Sequence, residues 1–316
     1  MAKDTCWTQW VRCGALAASG LWGAAVGGCA DEAVGPGDPG VSAEASGEAP
    51  LVASECDFDG TWAVKFVIPV GWGPSLVVDA GRGEVVQWAK LTRKQEGTTL
   101  VDSMQICGIT NPDTVTRPVF GHEVYGITFP AALFDSGVLP ATEVKSHVSG
   151  LTPGATYTTD PLTALLGLEM ADAATTSWPE ASEMKTVDAD HDGKPGITVD
   201  TTKAPNYAAP PVNMWRSKRA KKFYIALRSV ISGASGKFDS CDKGAGTATI
   251  PLIDGKAAIN SRVLGCERTD GQDCAKGEYE MIDKQSSGYD LKGPAQMTMV
   301  RVGKDATCDS VRRAQF

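Results

Sequence analysis

Alternation is the clearest order in the chain. In Gly-Thr-Trp-Ala-Val-Lys-Phe-Val-Ile-Pro (60–69), Trp62, Val64, Phe66 and Ile68 recur at every second position, with Lys65 on the opposite face. A period of two puts one set of side chains on each side of a strand, so this run predicts a β-strand with one core face. Two more runs, 84–93 and 98–108, flank Lys-Gln-Glu-Gly and predict a hairpin. Further strands are expected at 123–130, 221–233, 246–253, 257–265, 277–283 and 295–303. Turn signals separate them, and 35 glycines with 18 prolines suit a turn-rich architecture better than a helix bundle. The expected class is all-β, an antiparallel β-barrel or a sandwich.

One stretch breaks the period. Asp160 is a good helix N-cap, Pro161 suits the first helical position, and Leu162, Leu165 and Leu166 mark one helical face running toward Met170. This predicts a helical or loop excursion from the sheet over about 131–200.

The beginning of the chain reads as an export leader. Lys3 and Arg12 precede a short apolar run of small residues, 13–26, too short to span a bilayer but right for the core of a signal peptide. It ends in Val-Gly-Gly-Cys, which resembles the lipobox of bacterial lipoproteins. That resemblance implies a leader over 1–28, lipid on Cys29, and a membrane anchor on an exported, outer-membrane protein facing the periplasm or the cell surface. A plain secretory signal cut after the Gly-Gly pair is the alternative. Residues 29–54 are rich in Gly, Ala, Pro, Ser and acids and read as a disordered tether. One domain, 55–316, is expected to follow.

Cysteine usage agrees with export. Of nine cysteines, Cys6 and Cys13 leave with the leader and Cys29 takes lipid. The remaining Cys56, Cys107, Cys241, Cys266, Cys274 and Cys308 form an even set, expected as three disulfides in one stapled domain. Cys266 and Cys274 bracket a polar Asp-Gly turn and are expected to pair; the other partners stay open.

The most chemically loaded segment is Asp-Ala-Asp-His-Asp-Gly-Lys-Pro-Gly-Ile-Thr-Val-Asp (188–200). Asp188, Asp190, Asp192 and Gly193 match positions one, three, five and six of an EF-hand loop, and Lys194 offers its carbonyl as position seven. Pro195 and Gly196 bar the following helix, and Val199 stands where the bidentate glutamate belongs. The expectation is an Asp-rich loop entering a strand and holding Ca²⁺ as a structural clip. The last ligand would come from Asp200 or Glu183.

Catalytic signatures are thin. His122, His147 and His191 are the three histidines; His-Glu-Val-Tyr-Gly (122–126) lacks a second zinc histidine, and Ser-Gly-Ala-Ser-Gly (232–236) is not a nucleophile elbow. A net charge of -8 argues against nucleic acid as a partner. The basic cluster 215–222 reads as a solvated lead-in to a strand or as an anion contact, and Trp72, Trp178 and Trp215 sit in expected loops.

Gly60-Thr61-Trp62 resembles the Gly-x-Trp motif that opens lipocalin barrels, which implies an arginine, here Arg301, packed over the tryptophan. The domain is longer than a lipocalin and lacks that family's second motif. More broadly, Cys-x-Phe-Asp-Gly-Thr-Trp (56–62), the 188–196 segment and Val-Arg-Val…Ala-Thr-Cys (300–308) resemble uncharacterised myxobacterial lipoproteins. The functional expectation is a non-catalytic envelope protein that binds an apolar or glycan ligand in its barrel, with Trp62, Phe66 and Trp88 on the wall or floor. A structural or adhesive surface protein without a cavity, or a secreted hydrolase, is the alternative.

Overall fold

The alternating run around Trp62 becomes the first strand, β1 (Gly60–Trp72), of a computed structural model that describes residues 55–202, 207–212, 218–285 and 288–316. The leader, Cys29, the tether and Trp215 lie outside the described residues. β1 turns into β2 (Gly81–Glu96), in register from Gly60↔Arg93 to Trp72↔Gly81, and β2 pairs with β3 (Thr99–Thr110). The expected hairpin is therefore present, and longer than its apolar runs. β4 (Thr142–Val148), β5 (Thr156–Thr159), β6 (Leu162–Leu166) and β7 (Ile197–Asp200) follow. The second half of the chain supplies β8 (Ala220–Ile231), β9 (Gly233–Ser240), β10 (Lys243–Thr249), β11 (Ile259–Arg268) and β12 (Ala295–Val302).

Eight of these strands close into an antiparallel barrel, in the order β1-β12-β10-β9-β5-β4-β3-β2, with β2 returning to β1. A closed sheet has no free edge, which settles the barrel over the sandwich. Trp62, Val64, Phe66, Ile68 and Val70 point inward along β1 and meet Leu100, Tyr157, Phe238 and Met297 in one core.

The β5–β9 pair does not stop at the barrel rim. Beyond it the same two chain segments continue as β6 and β8, which remain paired from Leu162↔Ile231 to Leu166↔Leu227. β7 joins β8 farther along that edge, and β11 lines its other edge. The resulting small sheet packs onto the outside of the barrel through a second core. Phe223, Ile225 and Val263 meet Ala63 and Val300 there, along with the short helices α1 (Ala131–Asp135) and α3 (Cys308–Arg312).

Four expectations are corrected. Residues 160–170 form no helix: Leu162 and Leu166 satisfy a period of two as well as a helical one, and β8 offers a strand edge that captures the backbone. Residues 277–283 form no strand: α2 (Lys276–Gln285) runs there, with Glu278 accepting from the Ala275 N–H at 2.9 Å at its start. Only Val124–Tyr125 of the 123–130 run is a strand. The excursion also contains β4 and β5, which belong to the barrel, so 131–200 is no single insertion.

The disulfides staple this arrangement. Cys56–Cys241 ties the approach to β1 onto the β9–β10 turn, and Cys107–Cys308 ties β3 to α3, with Cα–Cα distances of 5.1 and 4.7 Å. Cys266–Cys274 is the expected pair across the Asp-Gly turn.

A buried ion pair sits inside the barrel. Arg93 and Asp102, cross-strand partners, are 3% and 1% exposed and meet through two bonds of 2.7 and 2.9 Å. The guanidinium carbon also lies 4.9 Å from the centre of the Trp62 ring. Breaking such a pair strands one charge in a low dielectric, whereas replacing both partners with apolar residues does not. Asp102→Ala is expected to lower unfolding free energy by about 3–5 kcal/mol, and Arg93→Met with Asp102→Leu to recover most of it. Urea denaturation of the oxidised protein checks both.

Candidate functional site

The interior of the barrel is filled. Trp62 is 0% exposed, gives its indole N–H to the Phe58 carbonyl at 3.1 Å, and packs edge-on to Phe238. Arg301 does lie over its ring, 5.1 Å away, and reaches the carbonyls of Asp57 and Asp59 across the barrel end. Phe66 borders a space of only about 40 Å³ among Met104, Met297 and Met299. Trp88 pairs with Lys65, on the face opposite Phe66, and rests on Gly108 on the outside of the barrel. The three expected wall residues therefore do not line one chamber.

A larger space lies between the barrel mouth and the small sheet. The end of β1 brings Trp72, whose indole N–H is held by the Asp79 carbonyl at 3.0 Å. Gly81 opposite it is required: a Cβ there would collide with the Trp72 ring. Phe223 and Ile225 from β8 and Ile259 and Val263 from β11 form the sheet wall. Met281 and Ile282 of α2 close one side, and Tyr289 stands edge-on to Trp72 with ring centres 6.2 Å apart. The cleft measures about 170 Å³. Asn111, Thr114 and Ser261 supply its few polar groups, and no described lining residue is an acid, histidine, lysine or cysteine. Burial pushes the Tyr289 phenol up to about 12, so this tyrosine stays neutral at ordinary pH.

A buried carboxylate of helix α2 bonds the helix to the sheet. β11 is an edge strand, and an uncovered edge invites further pairing. Asp283, 5% exposed, accepts from the Val263 N–H at 2.8 Å and from Arg262 at 3.0 Å. Burial raises its pKa, against the opposing pull of the Val263 N–H and the Arg262 charge.

The acidic loop folds largely as expected in its first half. Asp188, Asp190 and Asp192 bring one carboxylate oxygen each within 4.8 Å of one another. Gly193 and Gly196 take left-handed φ of 83° and 89°, which explains both glycines of the Asp-Gly-Lys-Pro-Gly run. Asp188 accepts from Gly193 and Asp192 N–H groups at 2.8 and 3.2 Å, and Asp190 from Thr198 N–H at 2.8 Å. The second oxygen of Asp190 is buried with no hydrogen-bond partner. Burial, and then the Asp192 and Asp188 charges, raise the Asp190 pKa despite the Thr198 bond. Asp200 stands apart and closes a turn on Thr202 at 2.7 Å. Glu183 caps its own short helix through Glu180, and the Lys194 ammonium leaves the loop for Asp273 at 3.0 Å. Neither Asp200 nor Glu183 belongs to the carboxylate group.

The described part of the basic cluster is engaged in ion pairs. Lys218 meets Glu278 at 3.0 Å, Arg219 meets Glu123 at 3.1 Å, and Lys221 and Lys222 share Glu267. Comparison with family models, with curated proteins and with solved structures finds no match.

Asp283→Ala removes the buried carboxylate partner of Arg262, leaving it the exposed Glu180, and uncaps the β11 edge. Loss of a buried pair of this kind costs about 3–5 kcal/mol. A drop of that size in urea denaturation, with faster amide exchange at Val263, is expected if α2 is held to the sheet by this side chain.

Proposed function

We propose that the protein is an exported, lipid-anchored, non-catalytic binding protein whose ligand is small and apolar and lies in the cleft between the barrel mouth and the small sheet. The cleft itself carries the reading. It is the place where aromatic and aliphatic side chains from barrel, sheet and helix converge around a space, with a few polar groups to orient an occupant. An apolar cavity of about 150 Å³ holds a benzene-sized molecule. The cleft, at about 170 Å³, therefore suits a single aromatic ring or a short alkyl segment. No acid, histidine, lysine or cysteine stands among the described lining residues to activate the Ser261 or Thr114 hydroxyl, which favours binding over catalysis.

Export and lipid on Cys29 rest on the leader-like run and the Val-Gly-Gly-Cys sequence. The three disulfides accord with an oxidising compartment. The acidic loop is proposed to hold Ca²⁺ between Asp188, Asp190 and Asp192, with the unpartnered Asp190 oxygen as one donor and the ion as a clip for the loop.

Toluene titrated into the oxidised full chain is expected to raise its thermal midpoint, as any ligand of the folded state does. Ser261→Phe, which fills the cleft from β11, should abolish the shift. A chain whose midpoint ignores toluene would be the structural or adhesive protein instead. Calcium gives a separate readout. Millimolar Ca²⁺ should raise the midpoint of the native chain and leave that of Asp190→Ala unmoved; an equal response in both would reduce the loop to a solvated turn.

A further inference from the structure

The small sheet has a second face, and it is polar. Arg228 lies there, 1% exposed, at the floor of a pocket of about 180 Å³. Its guanidinium donates to Asn260 Oδ1 at 3.0 and 2.6 Å and to the carbonyls of Ala173 and Thr176 at 3.1 and 2.5 Å. All of these partners are neutral. Arg93, the barrel's buried arginine, has a carboxylate; Arg228 forms no ion pair among the described residues, although burying an uncompensated charge is costly. Trp178 lies 5.0 Å from the guanidinium and, held by its indole N–H on the Ser261 carbonyl, walls the pocket.

Other cations crowd the same space. Arg262 and Lys256 line it as well, the first paired with Asp283 at 3.0 Å and facing the exposed Glu180 at 3.6 Å, the second paired with Asp290. The acid on the pocket lining is Asp254, exposed at the tip of the hairpin between Leu252–Ile253 and Lys256–Ala257. The pocket therefore combines an aromatic wall, hydrogen-bonding side chains and a buried positive charge that has no ion-pair contact among the described residues and feels only the field of the exposed Asp254.

We propose that this pocket is a second ligand site, on the opposite face of the small sheet from the apolar cleft, for a small ring-bearing organic acid of the uronate kind. The ring would lie against Trp178. The carboxylate would take Lys256 and Arg262 as direct partners and the field of Arg228 through the pocket floor. The site does not depend on occupation of the apolar cleft.

The indole N–H resonance of Trp178, assigned with Trp178→Phe, reports on the pocket in the oxidised full chain. Sodium glucuronate is expected to shift it with a Kd on the order of 1 mM, and glucose at equal concentration is not. An acidic oligosaccharide such as tetragalacturonate binding more tightly than the monomer would identify a polymer as the source of the acid; equal or weaker binding would identify the free sugar acid. Asp254→Asn removes the competing carboxylate, and its left-handed backbone, φ 53°, suits asparagine. It should tighten glucuronate by about threefold, while Arg228→Gln should weaken it by about tenfold. Should Arg228→Gln fail to fold, Lys256→Gln is expected to weaken binding in the same direction. Equal shifts with glucose, no shift by about 10 mM glucuronate, or Asp254→Asn with unchanged or weaker affinity would overturn the proposal.

Discussion

An eight-stranded barrel encloses a space that side chains can fill or that one small ligand can occupy, and in this protein side chains take it. Trp62, Phe238, Tyr157 and Phe58 occupy one end, with the Arg93–Asp102 pair among them. Arg301 and the Cys56–Cys241 bridge then cross the same end from outside. Little volume is left inside. The larger apolar space lies where the barrel meets the small sheet.

That sheet exists because two strands outrun the barrel. β5 and β9 are bonded within it, and their continuations β6 and β8 stay bonded beyond the rim. A two-stranded ribbon is marginal in water. β7 and β11 widen it, and the apolar residues of one face fold back onto the outer surface of β1 and β12. The same construction gives the sheet unlike faces. Phe223, Ile225 and Val263 look toward the barrel, while Arg228, Asn260 and Arg262 alternate with them on the other side. The period of two thereby puts an apolar cleft and a charged pocket on the two faces of one sheet, with Ser261 and Gly288 bordering both.

That period was legible in the sequence wherever apolar and polar residues alternate, as along Trp62, Val64, Phe66 and Ile68 of β1. It was not legible in β4, where Thr-Glu-Val-Lys-Ser-His-Val carries little apolar signal and the barrel's closure supplies the pairing. Leu162 and Leu166 fit both a strand and a helix, and only the edge of β8 decides between them. In β2 both faces carry apolar residues, so parity alone did not reveal that Ala89 and Leu91 point inward while Trp88 points out. The inward arginine at position 93 had no signature, because its partner Asp102 lies on another strand. The cleft was invisible for a related reason: its walls come from β1, β8, β11, α2 and the loops around Asn111 and Tyr289, which no local pattern joins. The carboxylate group and the Cys266–Cys274 bridge were visible because each is set by contacts within a few residues.

The acidic loop and the disulfide loop turn out to be one assembly. Lys194 leaves the Asp-rich segment, passes 5.2 Å from the centre of the Tyr224 ring, and meets Asp273 beside Cys274. Thr198, at the start of β7, receives the Asp190 and Asp192 carboxylates through its N–H and hydroxyl. Gly196 approaches Gly167 and the Ile225 carbonyl so closely that neither glycine could carry a side chain. The loop is thus seated by backbone contact on β8, by hydrogen bonds on β7 and by an ion pair on the disulfide turn. What these contacts leave unbalanced is its own negative charge, because three carboxylates converge and the Lys194 ammonium is directed to a fourth. A divalent cation among the three would relieve that repulsion, and the unpartnered Asp190 oxygen is the donor free to meet it.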